Sequence, residues 1–69
     1  MKILEVMVNK IFEDRKTITR QEFNQIAGQK LKLKKEDTRI LISDLKDNNL
    51  IETWGKKQNK ITNRNNFYI

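Results

Sequence analysis

The chain has no cysteine, no histidine and no proline, and only two glycines in 69 residues. Without cysteine there is no disulfide, no thiolate metal site and no cysteine nucleophile. Without histidine the commonest general base and the commonest metal ligand are both missing. The absence of proline excludes a proline-rich linker, and the lack of cysteine fits a reducing compartment. No apolar run approaches the roughly 20 residues of a membrane span. The opening Met1-Lys2-Ile3-Leu4-Glu5 does not read as a secretion signal, because Glu5, Asn9 and Lys10 interrupt any apolar stretch. The expectation is one soluble, cytoplasmic domain over residues 1–69 with a single small core, since a chain of this size buries only about 60% of its unfolded surface.

What the chain has in plenty is positive charge. Fifteen Lys and Arg face nine Asp and Glu, a formal net charge of +6. That balance favours polyanionic partners, nucleic acid first. A solvated lysine surface is the plain alternative.

Apolar spacing organises the first two thirds. Ile3, Leu4, Met7, Val8, Ile11 and Phe12 recur at steps of three and four and predict a helix over 2–14, with Val6 off the stripe as an exposed residue or a dimer contact. Thr17-Ile18 reads as a short strand at a sheet edge. Thr19-Arg20-Gln21-Glu22 matches a capping box and opens a helix over 20–30 that buries Phe23, Ile26 and Ala27. Gly28 predicts an irregular or early end to it. In Leu31-Lys32-Leu33-Lys34 the leucines turn inward and the lysines outward. A third helix over 35–48 buries Thr38, Leu41, Ile42 and Leu45, with Glu36 and Asp37 complementing its dipole and Asn48-Asn49 stopping it. Leu50 to Trp54 is β-branched and aromatic enough for a strand. A basic turn follows, in which Ile61 stands alone and pins the tip, and Asn65 to Ile69 reads as the return strand. Trp54 is assigned to the core at the base of that hairpin, with stacking on a base or sugar as the alternative. Of Phe67 and Tyr68, one is expected buried and the other half-exposed.

Ile26-Ala27, Leu31, Leu33 and Leu45, followed by Asn49-Leu50-Ile51-Glu52, form a pattern that resembles the winged helix-turn-helix domain of MarR-like and related small regulators, over nearly the whole chain. Asn49 stands where the family has glycine. The resemblance implies an α+β fold: a three-helix bundle, a short strand between the first two helices, and a C-terminal β-hairpin wing over 50–69. It implies double-stranded DNA as partner, with the third helix in the major groove. Carried over by position, Lys35, Arg39, Ile40, Ser43 and Lys46 face the bases or phosphates. Arg20, Gln21, Lys32 and Lys34 hold phosphates beside them, and Lys56, Lys57, Asn59, Lys60 and Arg64 form the basic wing. A lone domain makes few contacts, so a homodimer is expected. A protein-interaction module and an RNA or single-strand binder are the alternatives. No enzyme activity, cofactor or metal is expected: Asp44 and Asp47 share a helix face but read as solvated acids with charge partners along the helix.

Overall fold

The computed structural model describes residues 2–65. The elements run α1 (Lys2–Phe12), β1 (Thr17–Thr19), α2 (Arg20–Lys30), α3 (Lys35–Asp47), β2 (Ile51–Trp54) and β3 (Lys60–Asn63). The result is a small α+β domain of three helices and a three-stranded antiparallel sheet ordered β1-β3-β2. No described helix is long and apolar enough to cross a membrane.

Each helix ends for a local reason. α1 stops two residues short of the expected limit because Glu13 takes a left-handed backbone, φ 55°, and is tied by its carboxylate to Lys30 of α2. α2 begins with the predicted capping box: Thr19 Oγ1 accepts from the Glu22 amide at 3.0 Å, and the Glu22 carboxylate accepts from the Thr19 amide at 2.9 Å. It then runs through Gly28 without interruption, which corrects the expected irregularity. A methyl group added at Gly28 would meet only the Leu33 carbonyl oxygen, at an ordinary 3.8 Å. α3 closes in a paired turn, with the Leu50 amide donating to the Leu45 carbonyl at 2.9 Å and the Asn49 amide to the Lys46 carbonyl at 3.0 Å. Asn49 supplies the left-handed residue such a turn needs, φ 60°.

The core unites all the elements. Phe12 of α1 meets Phe23 of α2 edge to face, with ring centroids 6.2 Å apart. Around them lie Val8, Ile11, Ala27, Leu41, Ile42 and Leu45, with Ile18, Ile51 and Ile61 from the three strands. Thr38 is buried as well, its hydroxyl donating to the Lys34 carbonyl at 2.9 Å. Leu31 and Leu33 pack against this cluster while Lys32 and Lys34 stay exposed. Ile3 departs from expectation at 64% exposure. At 100° per residue it lies roughly 120° from the middle of the stripe centred on Leu4, Val8, Ile11 and Phe12.

The hairpin differs most from the sequence reading. The return strand is β3, at Lys60–Asn63, and not Asn65–Ile69; of that stretch only Asn65 is described, and it is not in a strand. Phe67 and Tyr68 lie outside the described residues. Ile61 is therefore no isolated tip residue. It is fully buried at the centre of the sheet, opposite Ile18 on one side and Thr53 on the other. The physical reason is pairing: β3 has one apolar residue, and only the ladder with β1 marks it as a core position. Side chains alternate along a strand, so with Ile51 turned inward Trp54 must turn outward. It is 46% exposed, which corrects its assignment to the core.

Two stability tests follow. Gly55 has φ +85°, and a Cβ there would come 3.1 Å from Lys60 Cγ. Gly55→Ala should destabilise by about 1 kcal/mol or more, whereas Gly28→Ala, in an open helical position, should stabilise by about 0.4–1 kcal/mol. Urea unfolding of the two variants measures both. Hydrogen bonding from the Thr19 amide, reinforced by the charge of Arg15, holds the Glu22 carboxyl below its ordinary 4.5. A carboxyl lowered by folding contributes stability at neutral pH that is lost as pH falls through its folded pKa. Glu22→Gln should therefore melt below the wild type at pH 7, and the two melting temperatures should converge below pH 4.5.

Candidate nucleic-acid interface

Fifteen cations on so small a domain raise the question of which are already neutralised. Three are. Arg15 pairs with Glu22 at 3.3 Å, Arg64 pairs with Glu52 at 3.0 Å, and Lys30 pairs with Glu13 while also donating to the Lys10 carbonyl. Among the described residues, Lys32, Lys34, Lys35, Arg39, Lys46, Lys56, Lys57 and Lys60 form no ion pair.

These free cations fall into two groups. The first surrounds the turn between α2 and α3 and continues along one flank of α3. Lys35, Arg39 and Lys46 lie within about 40° of one another around the helix. The four acids of α3, Glu36, Asp37, Asp44 and Asp47, occupy the other exposed side. Among the described residues no ion pair forms on α3, so the charge partners expected for Asp44 and Asp47 along the helix are not made. Ser43 is exposed near the outermost line of the helix. Ile40 is 59% exposed and falls on the acidic side, away from Lys35 and Arg39.

The second group is the hairpin tip, Gly55 to Asn59, with Lys60 at its edge. The tip is held to the start of α2. The Arg20 amide donates to the Asn59 carbonyl at 2.7 Å, and Arg20 Nε donates to the Gln58 carbonyl at 3.2 Å. The Thr53 hydroxyl is 2.7 Å from Gln58 Oε1 and braces the other side. The tip that carries Lys56 and Lys57 is thereby fixed to Arg20 at the start of α2.

Between α2 and α3 runs a shallow cleft lined by Gln21, Asn24, Gln25, Leu33, Lys35 and Thr38. Gln21 was expected to serve there as a phosphate contact. Asn24 and Gln25 were missed, although their spacing from Gln21, with Phe23 and Ala27 buried opposite, marks an outward face of uncharged amides. Such amides can donate and accept at once, the pairing that reads adenine edges. Arg64 does not join either group. Its amide donates to the Leu50 carbonyl at 2.8 Å at the base of the hairpin, the end opposite the tip, and its guanidinium is met by Glu52. The reason is the earlier return strand, which moves Arg64 beyond the hairpin. A cleft of ≈ 690 Å³ opens at that base between Lys16, Asn49, Ile51, Glu52, Asn63 and Arg64. Among the described residues no group of three or more carboxylates is placed to hold a metal ion.

Several lysines of the two groups occupy backbone positions that suit other residues better. Lys32 and Lys57 have left-handed backbones, φ 58° and 56°, a region costing a residue with a Cβ roughly 1–2 kcal/mol. Lys34 is the N-cap of α3 and makes no side-chain cap hydrogen bond, where Ser, Thr, Asp or Asn would be worth about 1 kcal/mol. Lys35 stands at the first residue of that helix, the end whose dipole disfavours a cation. Comparison with known proteins gives no match: no protein family, no curated sequence and no solved structure is similar to this chain.

Proposed function

We propose that this protein binds double-stranded DNA as a small winged-helix regulator or accessory factor. In this reading α3 enters the major groove along its Lys35–Arg39 flank, and the hairpin acts as the wing, laying Lys56, Lys57 and Lys60 on the backbone or in the adjacent minor groove. Arg20, Lys32 and Lys34 complete the phosphate contacts, and Gln21, Asn24 and Ser43 lie between them within reach of base edges or sugars. The carrying observation is the placement of unpaired lysines at Lys32, Lys34 and Lys57, where the local backbone favours glycine, asparagine or a capping side chain, and at Lys35, where the helix dipole disfavours a cation. Local rules are broken in natural proteins chiefly where function requires it.

The order of elements and the hairpin lashed to α2 support the winged-helix assignment. Pairing of two copies on DNA gives such a domain enough contacts for specificity. Ile3 and Val6, exposed on one side of α1 at 64% and 52%, offer the copies an apolar contact. A protein-interaction module is the second reading. The outermost line of α3 favours it, for Glu36, Ile40 and Asp47 join acids with an exposed apolar residue there.

The stability–function conflict is directly testable. Lys32→Gly, Lys34→Ser and Lys57→Gly should each raise thermal stability or leave it unchanged, and each should weaken duplex binding. Raised stability with full affinity would overturn the proposal. The charge and specificity terms separate in a second experiment. With about six phosphate contacts the binding constant should fall with salt at a log–log slope of roughly −5. Replacing Lys56 and Lys57 by Ala should make that slope shallower by roughly 2. Replacing Arg39 and Ser43 by Ala should instead erode preference among sequences, read by gel shift against a randomised duplex pool. Duplex binding unchanged in both double variants would favour the protein-interaction reading.

A further inference from the structure

Among the described residues, the outward face of the sheet carries a single aromatic side chain in a setting of hydroxyls, cations and one ion-paired acid, Glu52. Trp54 is 46% exposed there, yet its only hydrogen-bond donor is already used. Nε1 donates to Thr62 Oγ1 at 2.8 Å, and Thr62 Oγ1 lies 3.0 Å from Thr17 Oγ1 on the far strand. Trp54 stands opposite Lys60 in the ladder, so Thr62 is its diagonal neighbour. The hydrogen bond therefore draws the indole across the central strand and fixes its orientation. With its donor satisfied, the ring offers a ligand its π surface. Among the described residues no aromatic ring and no cation packs on that surface.

Glu52, the acid on this face beside Trp54, is paired with Arg64 at 3.0 Å, so the charge left unpaired around the ring is positive. Lys60 is its direct cross-strand partner, with Cβ atoms about 5 Å apart in such a pair. Lys56 and Lys57 follow within three residues in the tip, and none of the three has an ion-pair partner among the described residues. An apolar protein partner or a bilayer would require a contiguous apolar patch, whereas the neighbours of Trp54 on this face are Glu52, Thr17, Thr62 and Lys60. A fixed aromatic plane beside free cations matches the two demands of an unpaired nucleotide, a stacking surface for the base and positive charge for the phosphates.

We propose that Trp54 is a stacking platform for an unpaired nucleobase, with Lys60 and the tip lysines binding the flanking phosphates. The sheet face is then a single-strand-binding surface distinct from the α3 flank. Stacking tolerates any base, since every base has a π face, so this surface binds single strands with little sequence preference. It shares Lys56, Lys57 and Lys60 with the duplex interface, and Trp54 is the position that separates the two.

Trp54 is the only tryptophan, so its fluorescence reports this surface alone. The protein is titrated with oligo-dT, oligo-U and a blunt duplex of equal length. Both single strands should quench the emission, and the duplex should leave it unchanged. By anisotropy of a labelled strand, Trp54→Ala should weaken single-strand binding about tenfold or more while Trp54→Phe retains most of it. Both variants should bind duplex within about twofold of wild type, with circular dichroism confirming that they fold. Quenching by one of the two single strands alone would support the platform and identify DNA or RNA as its source. Single strands that bind without quenching, or a Trp54→Ala variant that binds them as tightly as wild type, would overturn the proposal while leaving the duplex reading intact. Quenching by single strands with no duplex binding would support the platform and remove the duplex reading. No binding to any of the three would remove both.

Discussion

The pairing of β1 with β3 is the constraint on which the placement of charge depends. β1 is only three residues long, and it leads directly into α2. Its partner β3 is the return strand of the hairpin. The ladder sets Ile18 against Ile61, both in the core, and so locks the hairpin to the helices with apolar burial on the inner face. It also delivers the hairpin tip to the first residue of α2, where Arg20 holds the Gln58 and Asn59 carbonyls. Without that ladder Lys56 and Lys57 would ride on a two-stranded hairpin, which is marginal alone in water. With it they have a defined position relative to α3.

Local stability and charge pull in opposite directions in the turn and the tip. While α1 ends on a left-handed Glu13, the core, the capping box of α2 and the Asn49 stop of α3 obey the ordinary rules. The α2–α3 turn and the hairpin tip do not, since lysines occupy left-handed backbones and an uncapped helix start. Arg15, Lys30 and Arg64, by contrast, are neutralised by acids. Most of the unpaired cations among the described residues thus lie in two places, while the acids of α3 keep off the Lys35–Arg39 flank of that helix. Exposed ion pairs of this kind contribute little to stability. Their larger effect is on which cations remain available to a polyanion.

Trp54 shows how one hydrogen bond can change the use of a residue. A free indole on a surface would be mobile and would keep a donor to satisfy. Bonded to Thr62, the ring is oriented before any ligand arrives, which lowers the entropy lost on binding. Duplex and single-strand surfaces that share the tip lysines would compete for the same protein, and the balance between them would follow salt and the availability of unpaired bases.

The sequence by itself determined the helices and their buried faces. Helical burial repeats every three to four residues, so Phe23, Ala27, Thr38, Leu41, Ile42 and Leu45 were legible from spacing within a single turn or two. Capping is equally local, and Thr19 with Glu22 announced the start of α2. Asn49 was legible as a left-handed stop for α3 by its residue type. The hairpin was not legible in the same way. Ile61 is one apolar residue in a polar stretch, and its place in the core depends on Ile18, more than forty positions earlier in the chain. Once that register moved the return strand forward, Arg64 left the tip and Trp54 turned outward. A strand's inward face is set by its partners, because alternation offers two equivalent choices and only the tertiary core selects one.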